Sequence, residues 1–338
     1  MSARDTDWEG VRLHVVTGKG GTGKTTVAGA LAIALASGGG QVLLIEMEGR
    51  QGIARLFDGP PLPPYQERRV AVAPATDTLP GGDVYALAAD AETALIEYLE
   101  MFYNLRHAGT ALTRLGVVDF ATTIAPGLRD VLLTGKAAEA TRRRFKGRPV
   151  YDAVVMDAPP TGRIGKFLNV ATEVSGLARM GPIHGHAETV ERVIRSPQTA
   201  VHFVTVLEEM PVQETLDGIA ELRGLAQGGL QLGGIMINMV RPVELTDDQL
   251  DAAAHGALDE HELDLGLKAA GLEDSLGLAA SLAAELSEHA REALAQRSQR
   301  HRLDETGQPR YELPLITDQM DLGGLYRLAA TLRDQGAA

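Results

Sequence analysis

A glycine-rich loop near the beginning of the chain constrains the fold more than any other feature. Residues 18–26 read GKGGTGKTT and contain the complete G-x-x-x-x-G-K-[ST] pattern of a phosphate-binding loop. In such a loop, backbone N–H groups surround phosphate oxygens, while Lys24 reaches the β- and γ-phosphates and the Thr25 hydroxyl holds Mg²⁺. The pattern therefore predicts binding of a nucleoside triphosphate. The expected contacts are Gly18, Gly20, Gly21, Thr22, Gly23, Lys24, Thr25 and Thr26.

The segments on either side of the loop support this interpretation. Residues 11–16 are a short β-branched run suited to a buried strand. Residues 27–37 are rich in Ala and Leu and are long enough for about three helical turns. Strand, loop and helix thus follow in the required order. The N-terminus of the predicted helix adds a partial positive charge to the phosphate site.

The loop contains one lysine more than its pattern requires, and this residue is Lys19. A side chain that points out of its own loop is useful only if another phosphate lies opposite, most simply in a second copy of the protein. Lys19 therefore predicts a dimer whose chemistry takes place between subunits.

Composition limits the classes of function. The 338 residues are 44% hydrophobic, which allows a sizeable core in one large α/β domain with an insertion or in two domains. A net charge of −13 argues against broad, nonspecific nucleic-acid binding, so no nucleic-acid partner is expected. The absence of cysteine excludes disulfides, thiolate metal sites and iron–sulfur clusters. The N-terminal residues lack the layout of a signal peptide, and a cytoplasmic location is expected.

Acidic residues follow a second apolar run at residues 41–45. The first two acids after this predicted strand are Glu46 and Glu48. We expect only one of the two carboxylates to face a nucleotide beside the first strand. Glu48 is favoured because it lies further out from the strand.

A second site motif spans residues 151–163, which read YDAVVMDAPPTGR. An apolar strand that ends in one aspartate is where a nucleotide hydrolase places the acid that holds the Mg²⁺ shell, usually through water, and Asp157 has that position. The turn beyond it offers the backbone N–H groups of Thr161 and Gly162 to a γ-phosphate, since proline has none to offer. The predicted switch residues are Glu48, Asp157, Pro160, Thr161, Gly162 and Arg163.

The rest of the chain supplies framework. Residues 69–73 and 84–88 are predicted strands, and residues 92–115, 127–142 and several parts of 244–302 are predicted helices. The proline-rich stretch 59–64 is expected to be an extended surface connection that ends one structural unit. His184-Gly185-His186 could contribute to a metal site, but a loop is favoured because the chain has no cysteine that could complete one.

The combination of GKGGTGKTT, a short acidic strand end and DAPPTGR resembles the ArsA-type family. This family comprises arsenite-pump ATPases and the cytosolic ATPases that guide tail-anchored proteins to membranes, and it belongs to the deviant-Walker branch of the phosphate-loop proteins. The resemblance extends over nearly the whole chain and is greatest to actinobacterial members named anion-transporting ATPases. Residues 234–238 end in Asn238, which is similar to the family's adenine-reading residue. Residues 311–315 resemble the strand and proline loop beside the adenine and include Pro314.

The resemblance implies a P-loop NTPase of the α/β class, with a mostly parallel sheet flanked by helices. Residues 1–338 would form one domain, with a small helical insertion at about 91–124 and 167–197. ATP and Mg²⁺ are the implied cofactors, and Thr25 and Asp157 would hold the Mg²⁺. The implied catalytic residues are Lys19, Lys24 and Glu48.

The resemblance also assigns roles to the catalytic and switch residues. Lys19 would cross the dimer interface and neutralise charge that develops at the partner's nucleotide, as an arginine finger does. Glu48 aligns with a switch-loop residue that positions the attacking water, where the family usually has Asp. Arg163 stands where the family has His, and this difference puts the usual switch coupling in doubt.

The partner is the least specified part of the prediction. Arsenite pumps bind metalloid through cysteines, and eukaryotic targeting ATPases bridge their dimer with a Cys-x-x-Cys zinc site. Because this chain has no cysteine, neither zinc nor an iron–sulfur cluster is expected, and a dimer must rest on nucleotide and ordinary contacts. The second subunit would be an identical chain or a paralogue. The insertion is shorter than in targeting ATPases and has few methionines, chiefly Met101 and Met180, which favours a small or differently shaped client.

We therefore expect an ATP-hydrolysing dimeric switch that binds or releases a protein client or a membrane partner. One alternative is a positioning ATPase of the MinD and ParA kind. It would need a basic amphipathic C-terminal helix, whereas residues 323–338 are typical of a packed helix. The other alternative is an ATP-binding scaffold with little turnover, which the glutamate at position 48 suggests.

Overall fold

The computed structural model describes residues 6–47, 49, 51–75, 80–90, 93–94, 96, 127–177, 182–225, 230–243, 245–272, 276–317 and 320–338. The strands are β1 (Leu13–Gly18), β2 (Gln41–Glu46), β3 (Arg68–Ala73), β4 (Gly82–Ala88), β5 (Arg144–Phe145), β6 (Arg148–Pro149), β7 (Ala153–Asp157), β8 (Thr199–Thr205), β9 (Gln231–Val240) and β10 (Arg310–Pro314). The helices are α1 (Lys24–Ala36), α2 (Gly52–Leu56), α3 (Leu128–Arg142), α4 (Thr161–Leu177), α5 (Pro182–Ile194), α6 (Glu209–Leu225), α7 (Asp247–Ala254), α8 (Glu260–Ala269), α9 (Leu276–Asp304) and α10 (Leu322–Asp334).

In the described part of the chain, eight strands form one sheet in the order β10-β9-β8-β1-β7-β2-β4-β3. Neighbouring strands are parallel except for β3, which runs antiparallel to β4. The predicted α/β fold with a mostly parallel sheet is therefore confirmed. Since β1, β2 and β7 are adjacent, the residues that follow each of them meet at one edge of the sheet.

Alternating apolar side chains on the central strands bury both faces of the sheet. Leu13 and Val15 of β1 pack with α3, α4, α5 and α6, whereas Val16 packs on the other face with α1, α2 and α10. Leu328 and Leu332 of α10 are fully buried. The C-terminal segment is thus a packed helix, as its sequence predicts.

A smaller apolar cluster joins α7 to α9 through Leu250, Ala253, Ala290 and Ala293. The helices predicted between residues 244 and 302 are therefore confirmed. Among the helices of the described residues, none is long and apolar enough to cross a membrane.

Two local predictions are wrong. His184-Gly185-His186 lies inside α5 and not in a loop, because Ala187, Val190 and Ile194 further along the helix are buried in the core. The proline-rich stretch does not end a structural unit, since Leu62 is buried and Pro64 bridges Ala88 of the same sheet. The helix predicted at 127–142 is confirmed, and most of the one predicted at 92–115 lies outside the described residues.

Candidate nucleotide site

Glycines shape the loop between β1 and α1. Gly21 and Gly23 adopt φ angles of +90° and +83°, which L-residues with side chains rarely adopt. At Gly18, a Cβ atom would lie 2.2 Å from the carbonyl oxygen of Val204 in β8. The loop therefore needs glycine both for its conformation and for its close approach to the neighbouring strand.

Two hydrogen bonds hold the phosphate loop in place. The Thr22 hydroxyl donates to the carbonyl oxygen of Lys19 at 2.8 Å, and Nδ2 of Asn238 donates to the carbonyl oxygen of Thr22 at 3.0 Å. Gly23 is the N-cap residue of α1 and has no side chain that could cap it. The first turn of α1, which includes Lys24, Thr25 and Thr26, thus presents N–H groups and a positive helix end to an anion.

Oxygen groups converge beside the start of α1. The Thr25 hydroxyl donates to Oδ2 of Asp157 at 2.6 Å. Glu46 is 3% exposed, pairs in register with Asp157 across β2 and β7, and accepts a hydrogen bond from the Gly52 backbone at 2.8 Å. A Cβ atom on Gly52 would lie 3.5 Å from Oε1 of Glu46 and 3.8 Å from the Thr25 hydroxyl. This hydroxyl and these carboxylates suit Mg²⁺, which prefers hard oxygen ligands.

The described residues contain no cluster of three or more histidine or acidic side chains that could hold a metal ion alone. A cation next to Thr25 would therefore complete its shell with water and phosphate oxygens, which is the usual mode for Mg²⁺.

The spacing of the two carboxylates after β2 does not decide which of them faces the site. Residues two apart in a strand lie on the same face, so their spacing does not separate Glu46 from Glu48. The strand ends at Glu46, and this side chain lies at the site. Glu48 lies outside the described residues, and its role stays a prediction.

The turn after β7 is tied to the phosphate loop. The Thr17 hydroxyl of β1 donates to the carbonyl oxygen of Pro159 at 2.7 Å. Pro160 accepts a hydrogen bond from the Arg163 backbone at 2.8 Å, and α4 begins at Thr161. The N–H groups of Thr161 and Gly162 therefore lie at a helix N-terminus that begins four residues after Asp157.

The same turn contacts α3 through a long ion pair. Nη2 of Arg163 lies 3.8 Å from Oδ2 of Asp130. Burial raises the pKa of Asp130, and the positive charges of Arg163 and Arg129 oppose that rise. Arg163 thus links the turn after β7, the switch turn at residues 158–163, to a helix on the same face of the sheet.

Lys19 is bound to an acid of its own chain. Its ammonium group forms an ion pair and hydrogen bond with Glu214 on α6, and the two side chains are 32% and 36% exposed. Lys24 stands at the first position of α1. Lys19 thus contacts α6, whereas Lys24 belongs to the first turn of α1.

A cavity of about 550 Å³ adjoins the loop at the carboxyl ends of β8, β9 and β10. Met239 lines it with φ +58° and also lies within 3.6 Å of a Cβ position on Gly23. Its volume falls in the range of small-molecule sites. The lining residues are Val206, Leu207, Glu208, Glu209, Met239, Arg241, Glu292, Ala295, Gln296, Gln299 and Leu315.

The two residues predicted to lie beside the adenine, Asn238 and Pro314, are near this cavity. Asn238 is 4% exposed and contacts the phosphate loop next to the cavity. Pro314 ends β10, immediately before the lining residue Leu315. Recognition of a base by either residue stays a prediction. Sequence reasoning missed Glu46, Glu214 and Met239, and of these only Glu46 carried a signal, as an acid at a strand end.

Comparison with known proteins agrees with this geometry. The sequence matches the family of anion-transporting ATPases over residues 11–195. The Mycobacterium tuberculosis protein named ATPase BagA is 52% identical over 328 residues, which cover 97% of this chain and 94% of that protein. An arsenical pump-driving ATPase of Escherichia coli is 25% identical over 277 residues, 76% of this chain and 44% of the relative.

The family match includes the phosphate loop, Glu46, Asp157 and the switch turn. An ATPase needs groups that bind phosphate, Mg²⁺ and the base. The N-terminus of α1, the paired Thr25 and Asp157, and the adjoining cavity suit these three tasks. The chain belongs to the anion-transporting ATPase family, the ArsA-type family, and is an ATPase.

Proposed function

We propose that the chain is a dimeric switch that couples its nucleotide state to binding or release of a protein client or a membrane partner. The observation that carries this proposal is the pairing of Lys19 with Glu214 on α6, away from its own loop. A lysine needed at its own phosphates would compete with Lys24. A partly exposed cation with a weak partner suits a phosphate of a second subunit.

Within one subunit, each described residue has a separate task. Lys24 and the N–H groups of α1 would bind the β- and γ-phosphates, and Thr25, Asp157 and Glu46 would hold a Mg²⁺ ion and its waters. The bound ion would neutralise phosphate charge. Asn238 and the residues around the cavity would position the base. Lys19 of the second subunit would approach after its pair with Glu214 has broken, and would neutralise the charge that develops during transfer.

The switch turn would shift when the γ-phosphate is bound or lost. Thr161 and Gly162 lie at a helix N-terminus four residues after Asp157, and their N–H groups would be attracted by a γ-phosphate. Arg163 would pass this shift to Asp130 and α3. Residues 91–124, part of the proposed helical insertion, immediately precede α3 in the chain. The other part, residues 167–197, includes α5 and much of α4.

The dimer and its dependence on nucleotide are tested together. Light scattering of the full chain with ADP, and of Asp157→Asn with ATP and Mg²⁺, should give a monomer mass with ADP and a dimer mass with ATP. The wild-type rate of ATP hydrolysis per chain should rise with protein concentration. A monomer mass in both states, with a rate per chain independent of concentration, would contradict the proposal.

Replacement of Lys19 tests the chemistry. Lys19→Ala should bind ATP like the wild type and hydrolyse it at least about 100-fold more slowly, because a charge supplied to the transition state in trans is worth about three orders of magnitude or more. The control is Lys268→Ala, which removes a lysine from the surface helix α8. Equal turnover in Lys19→Ala and the wild type would contradict the proposal.

A further inference from the structure

A short hairpin on the far side of the sheet carries dense positive charge. The hairpin segment, residues 142–150, contains β5 and β6 and begins at the last residue of α3, Arg142. Five of the seven residues 142–148 are cations in a chain with a net charge of −13. The hairpin leads into β7, whose other end is Asp157. It therefore lies at the amino edge of the sheet, separated from the nucleotide site by at least the length of β7, about 16 Å.

Among the residues that the structure describes, most of this charge has no acidic partner. Arg143 pairs with Glu67 at 2.7 Å and with Glu139 at 2.6 Å. Among the described residues, no acidic group lies within ion-pair distance of the other four cations, which are Arg142, Arg144, Lys146 and Arg148. Burial lowers the pKa of the nearby Arg12, and the charge of Arg144 lowers it further, against the opposing effect of Asp152. The positive potential of the hairpin thus extends to its surroundings.

The hairpin presents an aromatic ring among these charges. Lys146 and Gly147 at the tip both have positive φ angles, 50° and 81°, as in the tight two-residue turns of rigid hairpins. Phe145 is opposite Arg148 in the ribbon and is 68% exposed. Nζ of Lys146 lies 5.4 Å from the centre of the Phe145 ring. Next to the ring is an open groove of about 550 Å³, bordered by Gln41, Lys146, Arg148, Pro149 and Val150.

We propose that this hairpin, residues 142–150, binds the anionic phospholipid headgroups of a membrane surface. The cations lie on both faces of the ribbon, with Arg144 on one and Arg148 on the other. A ribbon that enters a headgroup layer with its tip first is surrounded by separate phosphates, which can meet both faces, whereas an acidic peptide would lie along one face and leave the other unpaired. The exposed ring of Phe145 suits the boundary between headgroups and acyl chains.

This inference deepens the proposed function, because it selects the membrane as a partner, yet it does not depend on ATP turnover. Only a few cations and one aromatic ring contribute binding energy. Binding should therefore be weak and reversible, and it should need negatively charged lipid. Raised ionic strength should weaken it, because exposed charges are screened.

The test is co-sedimentation of the full chain, without nucleotide, with vesicles of phosphatidylcholine or of phosphatidylcholine mixed with phosphatidylglycerol. The wild type should bind only the mixed vesicles. Loss of two cations in Arg144→Gln/Arg148→Gln should weaken binding on the order of 30-fold, and Phe145→Ser should weaken it to a smaller extent. The matched control is Arg192→Gln/Arg297→Gln, which removes two exposed arginines from α5 and α9 and should bind like the wild type.

The hairpin variant should keep the wild-type rate of ATP hydrolysis, which shows that it folds and separates this test from that of the proposed function. Equal binding to both kinds of vesicle, or equal loss in the control variant, would overturn the inference. Binding of the hairpin to an oligoglutamate peptide, with no binding to charged vesicles, would overturn it in favour of an acidic protein partner.

Discussion

The ion pair between Lys19 and Glu214 must break before Lys19 can reach a phosphate of a second subunit. Exposed ion pairs contribute about 0–1 kcal/mol, and both side chains are about one-third exposed. The attraction is therefore weak enough to be broken when a second subunit offers phosphate charge. Glu214 would bias the single chain toward the resting arrangement without locking it there.

Replacement of Glu214 by Gln should release Lys19. At protein concentrations below dimer saturation, Glu214→Gln should hydrolyse ATP up to a few-fold faster than the wild type, because little energy is then needed to free the lysine. Asp217→Asn is the control, since it removes one carboxylate from the next turn of the same helix. A rate as low as that of Lys19→Ala would show instead that Glu214 itself is needed for the reaction.

Glu46 is expected to act on the cation and not on ATP itself. In Glu46→Gln the side chain can still accept the hydrogen bond of Gly52, but a negative charge beside Thr25 and Asp157 is lost. The Mg²⁺ concentration that gives half-maximal hydrolysis should rise several-fold, because carboxylate charge attracts Mg²⁺ and its waters. Titration of Mg²⁺ at saturating ATP measures this change, and an unaltered Mg²⁺ dependence would count against the assignment.

At the scale of elements, α6 holds the switch turn in place. A Cβ atom on Gly218 of α6 would lie 2.3 Å from Cγ2 of Thr161 and 3.0 Å from the ring of Phe203. A side chain at this position must displace the start of α4, and added bulk in a packed interior costs about 1–3 kcal/mol.

Gly218→Ala should therefore lower both the melting temperature and the rate of ATP hydrolysis. Gly224→Ala on the same helix is the matched control, because nothing lies within 4 Å of its Cβ position. This change should leave hydrolysis unaltered and should increase stability by about 0.5–1 kcal/mol, since Ala favours a helix over Gly. Equal effects of the two substitutions would remove the argument for close packing at Thr161.

A buried histidine pair joins β1 to β8. The Gly234 backbone donates to Nδ1 of His202 at 3.1 Å, so His202 carries its proton on Nε2, which lies 3.1 Å from Nδ1 of His14. Both rings are fully buried. Burial lowers the pKa of His14 from 6.5 to about 4 and also lowers that of His202, with the charge of His14 as a further cause. The folded chain therefore keeps both rings neutral near pH 7.

The free energy of unfolding should fall as the pH is lowered from 6.5 to about 4. In this window the unfolded chain binds protons at residues 14 and 202 that the folded chain does not bind. The depressed pKa of His14 alone corresponds to a loss on the order of 3 kcal/mol at pH 4. Urea unfolding at several pH values measures this slope. His14→Gln should flatten it, whereas the exposed His301→Gln should not, and an unchanged slope in both would contradict this account.

Most elements near the nucleotide site can be predicted from the local amino-acid sequence. Apolar runs next to a glycine-rich loop or an acidic residue predict β1, β2, β7 and α1. The strand β8 was not predicted, although, like β1, it is an apolar run that contains one buried histidine. The helix around Gly185 was missed because its support comes from tertiary packing of Val190 and Ile194. The contacts of Glu46 and Glu214 join segments that are distant in sequence, so they depend on sheet order.

For the whole molecule, one helix connects two proposed surfaces. Asp130 near the start of α3 contacts the switch residue Arg163, and Arg142 at its other end begins the cationic hairpin. A helix of 15 residues spans about 22 Å. Movement of the switch turn would therefore be transmitted along α3 toward the surface that we propose for membranes.

The central claim, that Lys19 of one subunit serves the nucleotide of the other, is tested most directly by mixing two inactive variants. Lys19→Ala retains Asp157, and Asp157→Asn retains Lys19, so a mixed dimer contains one complete site if the lysine acts in trans. An equal mixture should recover up to about a quarter of the wild-type hydrolysis rate, because about half of random dimers are mixed. A mixture no more active than its separate components, at concentrations where the wild-type rate depends on concentration, would contradict the claim.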